Sequence, residues 1–197
     1  GLTHACRRQA ELTYRSNGWA PAGGRRNDGG MEIEVRRIRA EEGALLSQLR
    51  LAALADTPDA FASTHEREVG NGAERWEELA TERARGDLHA TFVAFADGAA
   101  VGLVGGHRDE PGGEVQLVSM WTRPDARGNG VGAALVAAVI VWAGGDPVGL
   151  WVTRGNDAAQ RLYERCGFVV TGDHQPLPSD PCKDEVRMRH DPALAGP

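Results

Sequence analysis

The stretch Arg127-Gly128-Asn129-Gly130-Val131-Gly132, with the apolar run that follows it to Ala143, constrains this fold more than any other part of the chain. The run is too short to cross a membrane, which takes about 20 apolar residues. An element apolar on all sides has to be covered by protein instead. Glycine loses more conformational freedom on folding than any other residue, so three of them in six positions imply a backbone that needs their freedom. A glycine turn opening a buried helix presents unpaired N–H groups and the positive end of the helix dipole. That is an anion site, and amides without side chains let phosphate oxygens come close. Arg127 adds a planar charged fork beside it. A pyrophosphate is the natural guest.

Which pyrophosphate is a separate question. Gly128, Gly130 and Ala133 satisfy a loose dinucleotide pattern, but the loop "TRPDA" separates them from the preceding strand. In that motif the glycines follow the strand at once, and an acidic residue comes later to hold the ribose. Here none ends the next strand, "VGLWVT". A Walker loop is excluded, because no Gly-Lys-Ser/Thr occurs and the single lysine is Lys183. A turn needed only for close packing is the plain alternative.

Composition narrows the partners. The chain has 197 residues, 41% hydrophobic and 25% charged, which suits one globular domain. A net charge of −6 disfavours nucleic acid, and no segment is apolar enough for a membrane. Cys6, Cys166 and Cys182 lack the spacing of a zinc site or a disulfide framework, so no metal and a reducing cytoplasm are expected. His65, His89, His107 and His174 are scattered without ligand spacing.

Residues 1–30 carry five arginines and no periodicity, and read as a poorly ordered extension. Residues 31–190 form the domain, and 191–197 a tail. "MEIEVRRIR" alternates as an edge strand, and two amphipathic helices follow up to Gly86. Strands flank the Asp97-Gly98 turn, and "EVQLVSMWT" is another. Next come the buried helix from Gly130, the strand "VGLWVT", the helix "NDAAQRLYERCG" and the strand "FVVTGD". A proline-punctuated loop, "QPLPSDP", precedes the last strand, "DEVRMRH". This order is too irregular for a doubly wound sheet. It predicts an α/β (α+β) domain with a mixed, mostly antiparallel sheet of six to seven strands and about four flanking helices.

In "NDAAQRLYERCGF" the helical spacing puts Asn156, Ala159 and Tyr163 on one face, with Gly167 ending the helix and Phe168 opening a strand. Taken with Arg127, Gly130 and Gly132, this pair of motifs resembles the GNAT family of N-acetyltransferases. The likeness spans about residues 32 to 190, and the distance between the motifs leaves room for one helix and one strand.

The resemblance implies a GNAT fold that binds acetyl-CoA as cosubstrate and passes acetyl directly to an amine of a small molecule or peptide. It implies that Met120, Trp121 and Thr122 meet the pantetheine arm. Arg127, Gly128, Asn129, Gly130, Val131 and Gly132 wrap the pyrophosphate, and Asn156 hydrogen-bonds the cofactor. Tyr163 is the expected general acid beside the thioester sulfur, and Glu114 the expected base. It also implies a homodimer as one assembly. Asp56, Asp59 and Glu66 read as solvated loop charges, with attraction of a cationic acceptor as the alternative, and leave the acceptor open. A non-catalytic coenzyme A-binding sensor or interaction module is the rival reading, and a nicotinamide or flavin oxidoreductase a distant third.

Overall fold

A computed structural model describes residues 12–15, 18–21 and 31–192, with side chains from residue 31 onward. The elements are β1 (Leu12–Arg15), β2 (Gly18–Pro21), β3 (Ile33–Arg37), α1 (Gly43–Asp56), α2 (His65–Val69) and α3 (Ala73–Arg85). Then follow β4 (His89–Ala96), β5 (Ala99–His107), β6 (Val115–Thr122), α4 (Val131–Ala143) and β7 (Val148–Thr153). The chain closes with α5 (Asp157–Arg165), β8 (Val169–Leu177) and β9 (Asp180–His190).

The strands form one sheet in the order β2-β1-β3-β4-β5-β6-β7-β9-β8. Every pairing is antiparallel except β6 with β7. The seven strands β3 to β9 are the mixed sheet expected. The β1–β2 hairpin pairs beside β3, so β3 is interior rather than an edge. The rest of the expected extension lies outside the described residues.

Helices cover both faces. Leu46, Leu49 and Leu54 of α1 and Trp76 and Ala80 of α3 bury against Val93, Leu103 and Trp121. On the other face α4 packs its Val131, Leu135, Val136 and Val139 against Ala94, Val101, Val104 and Leu117. Successive strand residues therefore enter opposite cores, as Val93 and Ala94 do, which is why β4 and β5 read as continuous apolar runs. Asp97 and Gly98 both take positive φ, as a two-residue hairpin turn of this kind requires.

Two elements differ from the sequence reading. The expected loop at Gln175–Pro181 is mostly strand, and β8 and β9 form a long hairpin. Pro176 is tolerated because β8 is an edge strand, where the missing N–H costs no ladder bond on the open side. A fifth helix, α2, is a short turn whose start is capped by Thr64, the Oγ1 accepting from the Arg67 amide at 3.3 Å.

Candidate active site

The parallel pair β6–β7 is joined only at Val115–Val148 and Gln116–Gly149. Beyond those residues the strands part, and a cleft of about 610 Å³ opens between them. Its walls come from residues 117–122 of β6, 151–153 of β7, the glycine turn, the start of α4 and one face of α5.

A bulge shapes the β6 wall. Gly105 pairs with Val118 and Leu103 with Trp121, so Val104 alone faces both Ser119 and Met120. Ser119 takes φ of 57°, a left-handed conformation that is uncommon outside glycine. Neither Ser119 nor Met120 pairs with a residue of β5 or β7. Their main chain is thereby released from the ladder at the edge of the cleft.

The glycine turn behaves as a helix start. Gly130 caps α4 at φ 86°, and the Ala134 amide donates to its carbonyl at 3.0 Å, which begins the helical ladder. The amides of the first turn have no intrahelical acceptor. Gly132 serves packing, since a Cβ there would stand 3.0 Å from Leu162 and 3.4 Å from Met120. Glycine at that position lets α5 approach α4.

Arg127 is oriented before any ligand arrives. Its Nε donates to the Thr122 carbonyl at 2.9 Å, and its Nη2 pairs with the Asp56 carboxylate. Asp56 also accepts from the Trp121 indole at 2.9 Å. The end of α1 is thus tied to the turn through one carboxylate. Asp56 is not the solvated loop charge expected, because its side chain is mostly covered and its Oδ2 accepts from both Trp121 and Arg127. Asp59 pairs with Lys183 at 2.7 Å, while Glu66 is exposed.

Nine of the expected residues line the cleft together: Met120, Trp121, Thr122, Arg127, Gly128, Gly130, Gly132, Asn156 and Tyr163. Trp121 offers only its main chain, because its ring is buried in the α1–α3 core. Asn156 caps α5, its Oδ1 accepting from the Ala159 amide at 3.2 Å. Tyr163 is 6% exposed, packs its ring 5.8 Å from that of Phe168, and burial pushes its phenol well above the ordinary value. The phenol therefore stays protonated throughout the working pH range.

Three expected residues stand apart. Val131 is buried in the core, and Asn129 turns its amide back to the Arg127 carbonyl at 3.2 Å. Glu114 precedes β6 at its far end, where it accepts from Gln116 at 3.0 Å and pairs with Arg187 and Arg189. Among the described residues the cleft lining includes no carboxylate and no imidazole, and its charged members are Arg127 and Arg165. Thr122 Oγ1 is buried in the cleft without a hydrogen-bond partner among the described residues.

The cleft between the splayed strands thus runs from a helix start with free amides to a buried phenol. A model of the acetyltransferase (GNAT) family matches residues 53–168, and this chain belongs to that family. Mycothiol acetyltransferase of Mycobacterium avium is 38% identical in an alignment 114 residues long that covers 47% of this chain and 35% of that protein. The chain thus spans about a third of the length of the curated relatives it matches. Among solved structures, a GNAT acetyltransferase from Streptococcus pneumoniae superposes with a TM-score of 0.66 at 22% identity, covering 80% of this chain and 98% of that one. The spermidine N-acetyltransferase of Vibrio cholerae, in complex with CoA and spermine, gives 0.63 at 18%, covering 80% and 94%. These likenesses carry the fold. Among the described residues no helix is long and apolar enough to cross a membrane.

Proposed function

We propose that this chain is an acetyl-CoA-dependent N-acetyltransferase that passes acetyl directly to a primary amine of a small molecule or peptide. One observation carries the reading: a single cleft is lined both by the glycine turn and by Tyr163. The residues fit the cosubstrate. Free amides at the start of α4 and the Arg127 fork suit a pyrophosphate, and the unpartnered Thr122 Oγ1 awaits a polar group of the pantetheine arm. Acetyl-CoA would supply the activated acyl group. The released main chain at Ser119 and Met120 would stabilise negative charge on the thioester oxygen, and Tyr163 would donate to the sulfur. Asn156 would act by setting the start of α5, on which Tyr163 stands.

An acceptor ammonium has no lone pair, and alkyl ammonium groups titrate near 10 as lysine does. With no carboxylate or imidazole in the cleft lining, the proton leaves to water before attack. The sign is then fixed. Below the acceptor's pKa, kcat/KM should rise about tenfold per pH unit, following the free-base fraction, and a less basic amine should shift the profile down by its own pKa difference. A plateau near neutral pH, independent of the amine, would point to a protein base instead.

Glu114→Gln separates the two cases. In this reading Glu114 anchors Arg187 and Arg189, so its loss should cost about 1–2 kcal/mol of stability and leave the pH–rate profile unchanged. A melting curve and a pH series on the same variant check both halves. A selective loss of rate at low pH would restore Glu114 as the base.

A further inference from the structure

Ser119 holds a backbone conformation that its residue type does not favour. Its φ of 57° lies in the left-handed region, which glycine enters freely and serine at a steric cost. Such outliers persist where the surrounding structure over-determines them. Here the restraint on the side chain comes from α1, where Arg50 donates from Nη1 to Ser119 Oγ at 3.0 Å. Among the described residues nothing else hydrogen-bonds that hydroxyl.

Arg50 is itself fixed. Its Nε and Nη2 donate to the Glu68 carboxylate of α2 at 2.9 and 2.7 Å, and its guanidinium lies 4.8 Å over the Phe61 ring. The Arg50 and Glu68 side chains are only 12% and 14% exposed, and Phe61 is buried. Burial pushes the Glu68 carboxyl up, but the hydrogen bonds and charge of Arg50, with smaller shares from Ser63 and Arg83, hold it below its ordinary value. A planar guanidinium can hold a carboxylate along one edge and still present another N–H in a fixed direction. That remaining N–H is the one bonded to Ser119. The cluster thus reaches from α2 through α1 to the bulge, and Ser119 is its member that lines the cleft.

We propose that Arg50 is a positioning residue for acetyl transfer: anchored by Glu68, it holds Ser119 in the left-handed turn and so aims the unpaired main chain of Ser119 and Met120 at the thioester oxygen. The inference rests on the N-acetyltransferase reading and adds what keeps its oxyanion donors in place. Preorganised donors stabilise developing charge only within hydrogen-bond reach of it. Without the Arg50 bond, serine gains by relaxing toward negative φ, which turns the peptides on either side of it. Neither Ser119 nor Met120 pairs with β5 or β7, so no ladder bond resists that turn. The glycine turn lies beyond the bulge, so the loss falls on the chemical step and spares coenzyme A binding.

Kinetics of Arg50→Gln, alone and with a glycine at the bulge, test this where chemistry limits turnover. Arg50→Gln should lower kcat about tenfold or more, while KM for acetyl-CoA and coenzyme A affinity by calorimetry hold. Glycine adopts positive φ without strain, so the bulge then no longer needs the arginine. Arg50→Gln/Ser119→Gly should therefore regain most of the kcat that Arg50→Gln lost, although its melting temperature stays low. A role confined to stability gives no such rescue. Because Arg50→Gln strands a half-buried Glu68 carboxylate, Arg50→Gln/Glu68→Gln is measured beside it and should show the same loss of kcat in a sounder fold. An unchanged kcat in Arg50→Gln, a loss carried by KM alone, or no rescue by glycine overturns the assignment and leaves Arg50 a tie between helices. Each of those results, with the wild type turning over amines, leaves the transferase reading standing. A wild type that binds coenzyme A and turns over no amine removes both.

Discussion

Gly130→Asp is expected to weaken coenzyme A binding well over tenfold while leaving the protein folded. Gly130 caps α4 at φ 86°, and aspartate is among the few residues that tolerate that conformation. Aspartate also favours helix N-caps, where its carboxylate accepts from the first free amides. Those are the amides a pyrophosphate would use. The substituted side chain would therefore occupy the anion site and add a like charge beside it. Gly130→Asn has the same shape without the charge and should lose less, which separates occupancy from electrostatics. Arg127→Ala should also lose less, because Arg127 is half exposed and already shared with Asp56 and the Thr122 carbonyl. Calorimetry on the three variants, with melting curves alongside, checks the order. Undiminished affinity in Gly130→Asp would mean that the turn holds no phosphate.

Tyr163→Phe should lower kcat by about 10²-fold, equivalent to about 2.7 kcal/mol of transition-state stabilisation. Tyr163 is buried with its ring packed against Phe168, and phenylalanine retains that ring, so the variant should keep both stability and coenzyme A affinity. Burial raises the phenol well above its ordinary value, which makes it a weaker acid than a free tyrosine. A coenzyme thiolate, taken to resemble cysteine near 8.5, is the weaker base of the pair. Tyr163 thus assists by donating a hydrogen bond to the sulfur as it leaves, and full proton transfer is not required. Because the phenol never ionises in the working range, the ratio of wild-type to variant kcat should stay flat from about pH 6 to 9. A ratio of one, measured where chemistry limits turnover, would falsify the role and leave Tyr163 a packing residue.

Much of this architecture was legible because its signals are local. Leu46, Leu49 and Leu54 lie at helical spacing and are buried together on α1, and the Asp97-Gly98 turn carries its own conformational signature. The two motifs that meet in the cleft are each contiguous, so their residues could be named before their meeting was seen. What escaped is what depends on distant parts of the chain. Asp56 lies 71 residues from Arg127, and nothing near it in the sequence marks the carboxylate as the tie between α1 and the turn. Glu114 alternates correctly for a strand residue, yet its direction is decided by Arg187 and Arg189 on β9. Pro176 reads as a loop signal, and only the sheet order reveals that it sits on an open edge. The bulge at Ser119 has no glycine to announce it. Its conformation is held from outside, by Arg50 bonded to the serine hydroxyl.

The most direct test of catalysis in this cleft is release of free thiol from acetyl-CoA, followed with and without an amine acceptor. The acceptors should include amino acids as well as polyamines. The expected result is thiol release that is negligible alone, rises with free-base amine, yields one acetylated amine per thiol, and falls about 10²-fold in Tyr163→Phe. Tight coenzyme A binding with no amine-dependent thiol release across the panel would contradict it, and would make this chain a coenzyme A-binding module on an acetyltransferase fold.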